Sequence, residues 1–460
     1  MQVSAGAGET LSVNPATGEQ LATWPLADAR QIERAVDAAS RATAVWRRFT
    51  AAQRGDFLRA VATQLRARRN ALARTITLEM GKPLAESEAE VEKSAWNCEY
   101  VAEQGPAWLA DEIVTTQARS SHVSHLPLGV VLSILPWNFP VWQIFRCAAS
   151  ALMAGNTLLM KHAPNVQGCA SQVAALILEA GVPSGVFQNL NAAVGDVGKI
   201  IADPRVAAVT LTGSPGAGAK VAAQAGAVCK KSVLELGGSD AFIVLADADL
   251  ASAVAAGVRA RFTNCGQVCL AAKRFIVEES IADEFAARFC AAAAALRSGD
   301  PLQPGTQLGP LARADLREGL AAQVDASLRG GARLLTGGKA GEGAGWFYLP
   351  TVLTDVNREM PVVSQETFGP VAALLTARDA DTAIAMANDS AFGLSAMVWT
   401  DPDRGRALAR ELAVGGVFVN SVTASDPRLP VGGVKLSGYG RELGRSGMLE
   451  LCNTQTVWVA

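Results

Sequence analysis

The residue best suited to chemistry lies in Asn264-Cys265-Gly266-Gln267-Val268-Cys269. Polar, turn-forming residues precede Cys269, a setting that holds a thiol on a loop and not in a packed face. Its thiolate is a strong nucleophile near neutral pH and needs little activation. Cys265 reads as a buried loop cysteine, although oxidant would join the two thiols if their Cα atoms came within ~7 Å. In Leu234-Glu235-Leu236-Gly237-Gly238 a carboxylate ends an expected strand, where it can project into a cleft and act as a general base for water. Pro136-Trp137-Asn138-Phe139-Pro140 fixes the backbone on both sides of one asparagine. A rigidly held amide N–H is what an oxyanion needs; a purely structural turn accounts for the motif equally well. Leu211-Thr212-Gly213-Ser214-Pro215-Gly216-Ala217-Gly218 follows an expected strand and opens a helix. Small residues there let backbone amides approach a phosphate at the positive helix end. The spacing is not GxGxxG, so a plain loop is as good a reading of this motif alone.

Such loops need strands and helices behind them. Ile32, Ala35, Val36 and Ala39 recur at helical spacing, as do Phe57, Leu58, Val61, Leu65, Leu72 and Ile76 until Gly81-Lys82-Pro83. A third helix is expected from Ala85 to Ala110. Val123, Leu126, Val130, Leu132 and Ile134 suggest a hairpin or paired strands between Ser121 and Trp137. Beyond Trp137 strands (Thr157–Met160, Ala207–Leu211) alternate with helices (Ser171–Ala180, Gly216–Ala225), which implies a parallel sheet with helical crossovers. A second alternating block, Asp247 to about Asn420, places strands at Arg274–Val277, Val371–Leu375, Ala396–Trp399 and Gly416–Val419. The tail Thr454–Val459 alternates like a strand whose partner is distant or on another subunit.

A length of 460 residues suits two or three domains, and 50% hydrophobic with 18% charged residues is a globular balance. A net charge of −2 gives no global field for nucleic acid or an anionic membrane. No apolar run reaches the ~18–20 residues of a membrane span, and the first residues do not read as a secretory leader. Eight scattered cysteines without a CxxC, and three histidines, speak against a zinc site and for reduced thiols in a cytoplasm.

Together, in this order, the motifs resemble the aldehyde dehydrogenase superfamily, from Asn14-Pro15-Ala16-Thr17-Gly18 to Lys435-Leu436-Ser437-Gly438-Tyr439-Gly440-Arg441-Glu442. The resemblance implies an α/β fold with a Rossmann-like cofactor domain (1–115 and 136–240) and an α/β catalytic domain (241–430). A β oligomerisation segment (116–135 and 431–460) would build a homodimer or homotetramer. It further implies Cys269 as nucleophile, Glu235 as the base for deacylation, and Asn138 with the Cys269 N–H as oxyanion donors. Trp137, Lys161, Gly213, Ser214, Gly218, Glu366 and Phe368 would hold NAD or NADP, and Asn420 would lie near the substrate. The implied reaction is addition of the thiolate to an aldehyde, hydride loss to nicotinamide, and hydrolysis of the thioester. Glu235 argues against a coenzyme-A-acylating member, in which hydrolysis would be wasteful.

Lys161-His162-Ala163-Pro164-Asn165 and the run from Leu234 to Asp240 are most similar to bacterial succinate-semialdehyde dehydrogenases. The resemblance implies that Arg146 and Ser425 bind the far carboxylate, Arg through its bidentate fork. Two positions depart from the pattern. Pro164 stands where many NAD-preferring relatives place a glutamate, so both cofactors are expected, NAD modestly favoured. Thr263 stands where some semialdehyde dehydrogenases carry an arginine, which leaves carboxylate recognition to fewer groups. The competing readings are a broad aliphatic or aromatic aldehyde dehydrogenase and a non-catalytic protein of this fold.

Overall fold

Two open, mainly parallel sheets face each other end to end in a computed structural model that describes residues 8–460. The first has the strand order Gly438–Tyr439, Lys231–Glu235, Val206–Thr212, Val130–Ile134, Thr157–Lys161, Phe187–Asn189. All its neighbours are parallel except the short Gly438–Tyr439 edge. The chain enters at the central Val130–Ile134, runs outward on one side, then returns to build the other. That reversal leaves a crevice at the carboxyl ends, where such sheets bind ligands. The second sheet has seven strands, ordered Arg333–Thr336, Thr351–Thr354, Val371–Ala377, Ala272–Glu278, Asp240–Val244, Ser395–Trp399, Gly416–Val419. Its central strands are buried, as a sheet covered on both faces requires. Leu236-Gly237-Gly238-Ser239 links the carboxyl end of one sheet to the amino end of the other.

The long helical patterns form as expected, with local signals setting their ends. Ala29–Trp46 starts in a capping box of Asp28 and Gln31, and Ala51–Ala67 in one of Thr50 and Gln53. The run from Phe57 to Ile76 is two helices, because the backbone breaks at Arg68 before Arg69–Met80. Gly81 ends the latter at φ +87°, and a Cβ there would lie 2.8 Å from Pro310 Cγ. Leu84–Trp108 packs across Ala51–Ala67 and beneath the helix Trp142–Met153.

The expected hairpin between Ser121 and Trp137 does not form. Ser120–Pro127 pairs antiparallel with Cys452–Val459 and Glu112–Ile113 in a separate three-stranded sheet, whereas Val130–Ile134 is the centre of the first sheet. The segment 116–135 is therefore divided between two sheets, and Gly438–Tyr439 from the 431–460 segment also joins the first. Alternation marks strands but does not choose partners. The C-terminal strand does find a distant partner within its own chain.

Candidate active site

Cys269 lines a cavity of about 280 Å³ where loops from the two sheets meet, with Phe139, Arg146, Thr263, Val422 and Ser425 also in its wall. The loop that carries Cys269, the expected nucleophile, is over-determined. Asn264 and Cys265 adopt φ 52° and 54°, strained for residues with a side chain. Neighbours hold them there. Asn264 donates its side-chain amide to Asn138 O (2.7 Å) and its N–H to Glu86 (2.8 Å). Asn138, buried, donates to Gln267 O at 3.0 Å, so the expected oxyanion donor is latched to the cysteine loop. Lys273 Nζ donates to the carbonyls of Val268 (3.1 Å) and Cys269 (2.7 Å), and Arg261 to those of Gly266 and Ala272. Cys265 points the other way, into the apolar core beside Phe262 and Phe289, and both thiols are free.

Burial pushes the Cys269 thiol well above its ordinary range, and the charge and hydrogen bond of Glu235 raise it further; Arg146 and Lys273 oppose them. A thiol in such surroundings needs a base beside it to become a nucleophile. Glu235, 2% exposed, is the adjacent carboxylate. It is held from behind: Arg146 Nη2 donates to Glu235 Oε2 at 2.8 Å and to Thr212 Oγ1 at 3.0 Å. Arg146 Nε pairs with Glu442, so one fully buried guanidinium is shared by two buried carboxylates.

The expected cofactor residues cluster at the carboxyl ends of the first sheet. Lys161 ends Thr157–Lys161; burial lowers its pKa, and its ammonium has one acceptor, His162 O at 3.2 Å. His162 is fully buried. Its Nε2 bonds Pro140 O (2.8 Å) and its Nδ1 accepts from Ala163 N–H (2.8 Å), an arrangement that fixes the neutral tautomer and ties the Asn138 turn to the Lys161 strand. Pro164 is exposed. Ser214 caps Pro215–Ala227 by accepting from Ala217 N–H, while Gly213 N–H donates to Glu235 O. Gly218 packs so closely on Leu236 that a Cβ would meet it at 2.6 Å, whereas one at Gly216 would meet nothing. Trp137 and Phe368 stack edge to face at 5.7 Å. Glu366 accepts from Gly238 N–H at 3.1 Å and lies 3.7 Å from Lys273, so Lys273 bridges it to the nucleophile's backbone.

The three expected substrate residues have different surroundings. Asn420, at φ 51°, uses both ends of its amide on the backbone of Thr400 and lies outside the cavity wall. It is a turn clasp. Arg146 faces the cavity as expected and also pairs with two buried carboxylates, Glu235 and Glu442. Ser425 lies in the wall as expected and accepts from Lys93 Nζ at 2.9 Å.

Sequence reasoning missed one helix face. Glu86, Glu90 and Lys93 stand at i, i+4 and i+7 on Leu84–Trp108 and all line the cavity. Glu90 Oε1 accepts from Val141 and Trp142 N–H at the start of the helix that carries Arg146, and its other oxygen pairs with Lys82. Their spacing was visible; their burial was not. Glu442 and Lys273 left no local signal.

Comparisons with known proteins agree with this geometry. The model of the Aldehyde dehydrogenase family matches residues 3–457. The chain is 52% identical to the Escherichia coli succinate semialdehyde dehydrogenase [NAD(P)+] Sad over 453 residues, 98% of each chain. It is 47% identical to a probable NADP(+) succinate-semialdehyde dehydrogenase of Synechocystis, over 98% of this chain and 99% of that one. Among solved structures, succinic semialdehyde dehydrogenase from Streptococcus pyogenes in complex with NADP+ superposes with a TM-score of 0.96 at 34% identity, covering 98% and 99% of the two chains. A family match over nearly the whole length, on a fold that brings one thiol, one carboxylate and one latched amide together, supports a single assignment: the chain belongs to the aldehyde dehydrogenase family.

Proposed function

We propose that this NAD(P)-dependent aldehyde dehydrogenase oxidises succinate semialdehyde to succinate. The observation that carries the proposal is the cavity itself, which places the Cys269 thiol in one space with cationic side chains and Ser425. The relatives' names support the same substrate.

The residues at the carboxyl ends of the first sheet fit a dinucleotide. The Lys161 ammonium has one carbonyl partner, both polar ends of the buried Asn165 amide lack any, and the space above Gly216 is open. Lys161 and Asn165 would hold ribose hydroxyls, Ser214 and its helix end the pyrophosphate, and Glu366 with Phe368 the nicotinamide end. When bound, NAD or NADP supplies the acceptor for a hydride.

In the first half-reaction Glu235 accepts the Cys269 proton, and the thiolate adds to the aldehyde carbon. Asn138, released from Gln267 O, donates to the oxyanion together with the Cys269 N–H. Loss of hydride leaves a thioester on Cys269. Glu235 then passes its first proton to solvent, takes one from water, and the hydroxide releases the acid while the thiolate recovers a proton.

NADP is accepted readily, because Pro164 places no carboxylate to repel a 2′-phosphate, and the relatives' names favour NADP over the expected NAD preference. The three-stranded sheet joins copies into a homodimer or homotetramer, and eight free thiols suit a reducing cytoplasm. Initial rates with succinate semialdehyde, glutarate semialdehyde, butanal and benzaldehyde, each with both cofactors, test the substrate. Higher kcat/KM for the carboxylated aldehydes is expected; parity with butanal returns the enzyme to the broad-specificity reading.

A further inference from the structure

Lys273 is fully buried on the strand Ala272–Glu278, four residues past Cys269, and lies outside the cavity wall. Its ammonium donates to Val268 O at 3.1 Å and to Cys269 O at 2.7 Å, and stands 3.7 Å from Glu366. Val268 O accepts a second bond, from Ala271 N–H at 3.2 Å. Burial lowers the pKa of Lys273, while the carboxylates of Glu366 and Asp240 act the other way. Asp240 is itself buried and bonded by Ser395 Oγ. The three donors of the ammonium are thus all turned on the protein, two of them on the backbone of the cysteine loop. A neutral donor would tie that loop without taking a charge out of water. The tie alone does not account for a cation there.

Val268 O and Cys269 N–H are the two ends of one peptide group. Resting on the oxyanion reading above, we propose that Lys273 is a positioning residue that strengthens the Cys269 N–H as an oxyanion donor, by polarising the Val268–Cys269 peptide from its carbonyl end. The peptide is planar, and its resonance moves negative charge to oxygen and positive charge to nitrogen. A cation bonded to the oxygen favours that form, so the N–H at the opposite end donates more strongly. Negative charge grows on the aldehyde oxygen only as the thiolate adds, and the gain is realised there and not in the bound aldehyde. The second bond, to Cys269 O, fixes the next peptide and keeps the N–H aimed.

The test separates thiolate formation from oxyanion stabilisation. The probe is the ketone in which a trifluoromethyl group replaces the aldehyde hydrogen of succinate semialdehyde. The Cys269 sulfur bonds to its carbonyl carbon, the carbonyl π pair moves onto oxygen, and the thiol proton goes to Glu235. No hydride can leave, so the adduct stops at the oxyanion and dissociates reversibly. Alkylation of Cys269 by iodoacetamide needs the same thiolate but forms no oxyanion. Alkylation rate, and ketone affinity read from protection against alkylation, are measured at one pH in the wild type, Lys273→Gln, Lys273→Met and Lys273→Arg. Lys273→Gln keeps a neutral donor for the two carbonyls and loses the charge. Relative to the alkylation rate, ketone affinity should fall about 10-fold in Lys273→Gln and further in Lys273→Met, with part of it recovered in Lys273→Arg. Ketone affinity and alkylation that fall by one common factor mean a displaced loop and overturn the proposal, as does a ketone affinity that does not fall. A wild type alkylated as fast with the ketone as without it overturns instead the oxyanion reading on which the proposal rests.

Discussion

In the proposed mechanism Glu235 serves two proton transfers in one turnover, and its partners explain how one carboxylate manages both. Arg146 Nη2, itself steadied by Thr212 Oγ1, donates to its Oε2, while no nitrogen or hydroxyl donor reaches Oε1. The free oxygen is the one able to face first the thiol and then water. Arg146→Met should therefore lower kcat/KM for succinate semialdehyde and butanal alike, by about 10-fold or more, because two buried carboxylates lose their shared cation. A thermal melt of the same variant separates that effect from unfolding. Loss confined to the semialdehyde would show that Arg146 serves the substrate's carboxylate and not Glu235. At the same scale, Pro164→Glu should reduce kcat/KM for NADP about 10-fold or more while sparing NAD, since a carboxylate there would face the 2′-phosphate. Equal effects on both would show that this exposed position does not meet the ribose. Cys269 and Glu235 could be singled out in the sequence because loop-forming neighbours announce them, and the structure sets the two side by side. Arg146 was singled out in the sequence and lines the cavity, but its partner Glu442 was not, since it lies at the far end of the chain, where no spacing rule reaches.

Elements carry the site by being tied to one another, and His162 is the clearest tie. It joins the Pro136–Pro140 turn, which bears Asn138, to the strand end that bears Lys161. Burial pulls its pKa down to about 4. The unfolded chain takes up a proton near pH 6.5, the folded one only near 4, so stability is lost as the pH falls between them. At the lower limit the loss is about 3 kcal/mol. Urea unfolding of the wild type and His162→Gln at pH 7 and pH 4.5 measures it: the variant should lose less on acidification. An identical pH dependence would remove His162 from the account. Helices and buried strands were readable because period and caps are local. The hairpin misreading arose because Ser120–Pro127 and Val130–Ile134 both alternate, yet one edges a small sheet and the other centres a large one. Glu86, Glu90 and Lys93 escaped notice because charged residues at helical spacing usually face solvent.

The whole molecule brings carboxyl ends of one sheet against amino ends of another and leaves a third sheet with apolar residues in water. Ile113 is 80% exposed and Trp458 55%. Exposed edge strands of this kind seek partners, so Trp458→Lys should shift light scattering toward a smaller species; an unchanged mass would place the subunit interface elsewhere. The proposed catalytic centre belongs to both large sheets, because Glu235 ends a strand of the first and Cys269 precedes a strand of the second. The most direct test of that centre is peptide mass mapping of the wild type, acid-quenched within the first turnover after mixing with succinate semialdehyde and NADP. The account predicts a succinyl thioester, an added mass of about 100 Da, on the peptide holding Cys269, absent from Cys269→Ala and from Glu235→Gln, whose thiol has lost the base that takes its proton. No adduct despite reduced cofactor, or an adduct on another cysteine, would contradict the account.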